Sequence, residues 1–383
     1  MAGFRVLWAS EFVEAARDSY NANKADYTIL DGRDIRDVTA DDVLSELRML
    51  PGELDLFDGS PPCASFSMAG KREEGWGKVK KYSDTEQRTD DLFFEFARLV
   101  AGIQPKVFIA ENVKGLVIGK AKEVLGSAQL DIFLGQETTI YHTLCNAGYQ
   151  VAFRVLNAAD LGVPQARNRV IFCGVRKDLV KKYGVEPSFP KPLGYQYSVR
   201  DALPWIVRVT EGVGKNIKPN KPGNSFPRNL DRPVDGPRGT VTAQLGQLNG
   251  TPSEVEAYVD GATGGVVPLE TDIARFAVGA EWDKIQPGEQ SEKYFSLVKP
   301  ALDSVCPTIT ASSGVLSLAG VVHPTEKRKF TIPELRRICG FPDDFKLTGT
   351  YAQQWERLGR AVPPVMMSHI AATVRDEILA RCK

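Results

Sequence analysis

No apolar run in this 383-residue chain approaches the ~20 residues that a membrane-spanning helix needs. The opening residues, MAGFRVLWASEF, lack a basic segment followed by an apolar stretch and a small-residue cleavage site, so a standard secretory signal is not expected. Histidine is scarce, with only His142, His323 and His369. The six cysteines (Cys63, Cys145, Cys173, Cys306, Cys339 and Cys382) include no Cys-x-x-Cys pair. A zinc site and a disulfide framework are therefore not expected. An excess of one charge is lacking too: 48 Lys and Arg balance 48 Asp and Glu. That balance does not exclude a nucleic-acid partner, because local patches matter more than the sum.

What is present is an alternation of strand and helix patterns. Residues 4–9 read as a strand, 13–23 as a helix and 27–30 as a short strand. A helix follows from a plausible cap at Thr39. Residues 54–57 form a strand pattern ending in Asp58-Gly59-Ser60-Pro61-Pro62-Cys63. A helix over about 88–102 places Leu92, Phe93, Phe96, Leu99 and Val100 on one face. Residues 106–110 are an apolar strand that ends in Glu111-Asn112, a helix lies near 132–147, and strands lie near 150–157 and 168–175. Such alternation predicts a parallel sheet with helices on both faces, and ligands bind beyond the carboxyl ends of such strands.

From 178 to 300 the pattern turns irregular and β-leaning, with frequent Gly, Pro and Asn. Between 205 and 240, seven Lys or Arg stand against three Asp or Glu, an excess that suits a phosphate backbone and equally a solvated surface. Regular structure returns after 300, with a last helix over about 363–381. The expected organisation is 1–177, 178–300 and 301–383.

Four features stand in a fixed order: Pro61-Pro62-Cys63, Glu111-Asn112-Val113, Gln165-x-Arg167-x-Arg169 and Gly359-Arg360-Ala361-Val362-Pro363-Pro364. Each is weak alone. Together with Glu11, Asp34-Ile35, Pro307-Thr308-Ile309-Thr310 and Gly340-Phe341-Pro342, the chain resembles the DNA (cytosine-5) methyltransferase family over nearly its whole length. The resemblance implies a Rossmann-like α/β fold of the S-adenosylmethionine-dependent methyltransferases, with a smaller, irregular, β-rich target-recognition domain at 178–300.

Chemistry gives these residue types a purpose. Cytosine C5 is too electron-poor to attack a methyl donor. A thiolate added at C6, here Cys63, makes C5 nucleophilic. Glu111 is implied as the acid that binds and protonates N3. Arg167 and Arg169 are implied near the base, with Arg169 the one expected to contact its O2. Double-stranded DNA is the implied partner, with the target base flipped out of the helix. The stretch 64–88 matches the family's mobile loop, and Ser67, Lys71, Arg72, Asn112 and Gln165 are implied as substrate or DNA contacts. S-adenosyl-L-methionine is the implied donor, bound by Glu11, Asp34, Ile35, Asp58, Pro61 and Leu92. A bacterial or phage-infected cytoplasm is the implied location, with no membrane and no metal.

Two departures from the family matter. The Phe-x-Gly-x-Gly strand and loop that precede Glu11 in the family have no counterpart, since only ten residues stand before it. Ala2-Gly3-Phe4 reads like the end of a helix, with Gly3 at the position after the cap. An internal start, a separate polypeptide that supplies the strand, or a truncated, silent relative each accounts for this, and weak activity of this form alone is expected. Arg360 replaces the family's usual Asn near the donor's methionine part. It either crowds the site or pairs with a carboxylate on the donor, including the extra one of a carboxylated sulfonium donor. The rival functions are a tRNA cytosine-5 methyltransferase and a silent DNA-binding subunit of a split enzyme.

Overall fold

Two short parallel strands begin the fold, β1 (Trp8–Ser10) and β2 (Ile29–Asp31), joined through helix α1 (Glu14–Asn21). The computed structural model describes residues 1–61, 80–82, 85–87, 92–113, 140–204, 206 and 271–382. Helix α2 (Ala40–Leu47) starts where its sequence dictates: the Thr39 hydroxyl accepts from Asp42 N, and the Asp42 carboxylate accepts from Thr39 N.

The next strand, β3 (Leu56–Gly59), belongs to a second sheet. A small antiparallel pair, β4 (Lys80–Tyr82) and β5 (Thr85–Gln87), lies within the stretch 64–88. Helix α3 (Leu92–Ile103) then leads into β6 (Val107–Val113). Helix α4 (Ile140–Asn146) precedes β7 (Tyr149–Asn157), and β8 (Asn168–Arg176) completes a four-stranded sheet of order β3-β6-β8-β7.

Here the structure corrects the expectation of an all-parallel sheet. β3 and β6 are parallel, but β6–β8 and β7–β8 are antiparallel. The reason is the connection. β7 and β8 are joined by the short 3-10 turn Ala158–Leu161, and a parallel crossover needs a dozen or more residues and usually a helix.

β6 is buried on both faces, so it reads as a continuous apolar run. Val107 and Ile109 face one core, with Ile171, Cys173 and Val175 of β8. Phe108 and Ala110 face another, with Phe93, Phe96 and Val100 of α3. The first core is closed by helix α5 (Lys177–Tyr183), the chain to Tyr197, and the C-terminal helix. A third core gathers Val199, Ala202, Leu203, Ile206, Cys306, Ile309, helix α6 (Ile332–Ile338) and helix α7 (Tyr351–Arg360). Leu179, Val185, Phe189 and Tyr197 thus pack in the first core, and Val199, Ala202, Leu203 and Ile206 in the third.

Helix α8 (Pro364–Thr373) runs into a π-helical turn (Val374–Ile378) and a last 3-10 turn (Leu379–Arg381). Gly3 adopts a φ of 80°, which favours glycine, and Ala2 O accepts from Arg375 at 2.7 Å. Among the described residues β1 and β3 do not pair, so the two sheets stay separate.

Candidate functional site

Glu111 and Asn112 occupy the carboxyl end of β6, where they are 7% and 2% exposed. Alternation puts Glu111 on the face of Val107 and Ile109. On β8, Arg169 lies opposite Val113 and Ile171 opposite Glu111, so Arg169 is the diagonal neighbour of Glu111 on that same face. Arg169 Nε stands 2.5 Å from Glu111 Oε1. The other carboxylate oxygen, Oε2, accepts from the hydroxyl of Ser60, just past β3. Asn112 Nδ2 donates to Pro61 O at 3.1 Å. Burial pushes the Arg169 guanidinium down from its ordinary range, and the charge of Glu111 pulls it back. The ends of β3, β6 and β8 therefore converge on one carboxylate. Cys63, two residues beyond Pro61, lies outside the described residues, as do Ser67, Lys71 and Arg72.

Arg167 has a different environment from Arg169. It is 2% exposed and donates to Ile309 O (3.2 Å), Gly359 O (2.9 Å) and Arg360 O (3.1 Å). The last two carbonyls end helix α7, where a cation is favourable. Burial pushes its guanidinium down, and the nearby Arg169 charge adds to this. The approach beneath it is close: a Cβ on Gly359 would stand 2.7 Å from Ala311 Cα. Arg167 thus ties the 307–311 segment and the Gly359-Arg360 turn to the strand that carries Arg169.

Gln165, expected as a substrate or DNA contact, is buried in this structure. It is 1% exposed, bridges in parallel to Cys306, and donates through Nε2 to Cys339 Sγ at 3.1 Å. Pairing with Cys306 draws its backbone toward the third core.

Of the residues expected at the donor, Glu11, Asp34 and Asp58 lie at or just past the carboxyl ends of β1, β2 and β3. Glu11 follows β1. Its Oε1 accepts from Val13 N at 2.8 Å, and its Oε2 has no hydrogen-bond partner among the described residues. Burial raises its pKa above 4.5, against opposing pulls from Val13 N–H, Arg357 and Arg17. A half-buried carboxylate with one open oxygen is a suitable acceptor for a hydroxyl pair. Asp34 caps the turn Ile35–Asp37, accepting from Arg36 N at 3.0 Å, and pairs with the Arg36 side chain. Arg98 of α3 binds this turn through Ile35 O (3.0 Å) and Val38 O (2.8 Å). Leu92, buried, begins α3. Asp58 is exposed at the surface, and partial loss of water around its carboxyl raises its pKa. Its charge, together with burial, pushes Tyr20 of α1 upward.

Arg360 does not reach out as a free cation. Its Nε donates to Glu356 Oε1 at 2.8 Å, one turn back in α7. Two participants escape sequence inspection. Ser60 carries a signal only in its place before Pro-Pro-Cys. Arg357 carries none, because the pull of its charge on Glu11 comes from a residue far along the chain.

The family model described as C-5 cytosine-specific DNA methylase matches residues 1–376. The chain is 30% identical over 374 residues to the type II methyltransferase M1.HphI of Haemophilus parahaemolyticus, covering 97% of this chain and 81% of that protein. It is 28% identical over 372 residues to the type II methyltransferase M.XorII of Xanthomonas oryzae pv. oryzae, covering 89% of this chain and 73% of that protein. Among solved structures, a candidate DNA modification methyltransferase encoded within an E. coli prophage shares the fold. Its TM-score is 0.62 at 21% identity, over 99% of this chain and 94% of that one.

Proposed function

Because this chain belongs to the C-5 cytosine-specific DNA methylase family, we propose that it methylates C5 of a flipped cytosine at a specific site in duplex DNA. The observation that carries this reading is Glu111, a buried carboxylate held by Arg169 and Ser60 where β3 leads toward Pro62-Cys63.

The thiolate of Cys63 adds to C6 and makes C5 nucleophilic. Glu111 presents Oε2 toward N3 and supplies the proton that draws electron density from the ring. Arg169 holds the carboxyl and offers its remaining N–H groups to the cytosine O2. After C5 is substituted, loss of its proton and departure of the thiolate restore the aromatic ring and the enzyme. S-adenosyl-L-methionine, when bound, supplies a methyl group activated on sulfur. Glu11 would hold its ribose hydroxyls, with Ile35, Asp58, Pro61 and Leu92 around the nucleoside. The open oxygen of Glu11 supports that assignment.

Residues within 178–300 are assigned to target recognition, and Lys71 and Arg72 to the DNA backbone. The type II relatives favour a restriction-modification, orphan or phage role in the bacterial cytoplasm, where the substrate lies. A separate polypeptide that places a parallel strand between β1 and β3 would join the two sheets; this reading rests only on edges of those strands that find no partner among the described residues. The test of the main reading is transfer of a labelled methyl group to duplex DNA, with tRNA as competitor and Cys63→Ala as control. Label on cytosine that tRNA does not compete away supports it.

A further inference from the structure

The ladder between β3 and β6 ends at the pair Gly59 and Ala110. It cannot continue as a backbone ladder, because Pro61 and Pro62 have no N–H to donate. Two side-chain bonds extend it instead. Ser60, in register beside Glu111, donates its hydroxyl to Oε2, and Asn112 Nδ2 reaches Pro61 O at 3.1 Å. Two side-chain bonds thus lace the chain that leads to Cys63 to the chain that carries Glu111.

The two oxygens of Glu111 are not equivalent. Oε1 is taken by Arg169 Nε at 2.5 Å, which leaves Oε2 as the oxygen that can face a base. The Ser60 hydroxyl sits on that oxygen. Oε2 can accept from the Ser60 hydroxyl with one lone pair and, when it carries the acid proton, donate that proton to the ring nitrogen. With Ser60 and Arg169 both bound, the carboxyl plane has little freedom to turn. We infer that Ser60 is a positioning residue for the methyl-transfer reaction: it fixes the plane of the Glu111 carboxyl and aims Oε2 at the target base. The inference rests on the methyltransferase reading above.

Losing this hydroxyl should slow the addition of Cys63 without weakening DNA binding. The addition can be followed with no methyl donor present. Reversible attack at C6 lets C5 take a solvent proton and release its own, so duplex DNA labelled with tritium at cytosine C5 releases tritium to water. The full chain is used, with duplex DNA of random sequence. Ser60→Ala is expected to lower the maximal release rate about tenfold, with the DNA concentration for half-maximal rate unchanged. Ser60→Thr, which keeps the hydroxyl, should stay within about twofold of wild type. Ser60→Gly should repeat the loss seen with Ala, which guards against a fault in folding of one variant. The inference is overturned if Ala and Gly release tritium at the wild-type rate. It is equally overturned if the loss appears only as weaker DNA binding, or if Thr fails to restore the rate. If wild type releases nothing, or Cys63→Ala still releases tritium, the methyltransferase reading fails and takes the inference with it.

Discussion

Arg169 Nε lies 2.5 Å from Glu111 Oε1, across two antiparallel strands and on one face of the sheet. Both groups are largely buried, so neither charge is satisfied by water alone. Such a pair is strongly coupled, and removing one partner leaves the other uncompensated.

Arg169→Ala should therefore cut methyl transfer by about 100-fold, in line with loss of one preorganised donor at a reacting centre. Arg169→Lys should recover only part of the rate, because a single ammonium cannot hold Oε1 and also reach the base. Single-turnover label transfer to duplex DNA distinguishes the two. Equal rates in Lys and wild type would remove the geometric part of the account.

Arg167 should behave differently, as a structural tie. Arg167→Ala strips three backbone carbonyls, those of Ile309, Gly359 and Arg360, of a buried cationic donor. A loss of about 3 kcal/mol in unfolding free energy is expected, read from the urea midpoint. An unchanged midpoint would contradict the role assigned to it.

These two arginines show how far the sequence can be read. The Thr39 cap and the Glu111-Asn112 strand end are local features, and they fold as patterned. Arg167 and Arg169 share one motif, yet their fates differ. Arg167 precedes β8, where the bridge from Gln165 to Cys306 draws the backbone into the third core. Nothing local marks an arginine as buried, because its partners at 309, 359 and 360 arrive from far along the chain. Ser60 is hidden for a similar reason. Its role exists only once β3 and β6 lie in register. The antiparallel turn of β7 into β8 was legible only from the absence of a helix between them.

Glu11 supplies a prediction in pH. Its carboxyl must be ionised to accept from ribose hydroxyls, and burial raises its pKa above 4.5. Affinity for S-adenosylmethionine should be full near neutrality and fall as pH drops, starting above the ordinary glutamate range. Glu11→Gln should weaken binding and flatten this dependence in calorimetric titrations. A wild-type affinity that stays flat down to pH 4.5 would contradict the assignment.

His323 supplies a second pH prediction, for stability. Its side chain is fully buried, Nδ1 accepts from Glu326 N at 3.0 Å, and Nε2 lies 3.3 Å from Glu334 Oε1. Glu334 is in turn gripped by Arg328 through both carboxylate oxygens. Burial, helped by Arg328, holds the His323 pKa well below 6.5. The unfolded chain takes up this proton below pH 6.5 and the folded chain does not, so stability is lost as pH falls. The expected slope is about 1.4 kcal/mol per pH unit from this group. His323→Gln should remove that share of the slope, as followed by urea unfolding between neutral and mildly acid pH.

The most direct measurement incubates the purified chain with duplex DNA and S-adenosylmethionine carrying a labelled methyl group, then identifies the labelled base by mass spectrometry. The account predicts label on cytosine C5 alone, lost in Cys63→Ala and strongly reduced in Glu111→Gln. Label on another base or atom, or C5 label that persists in Cys63→Ala, would contradict it.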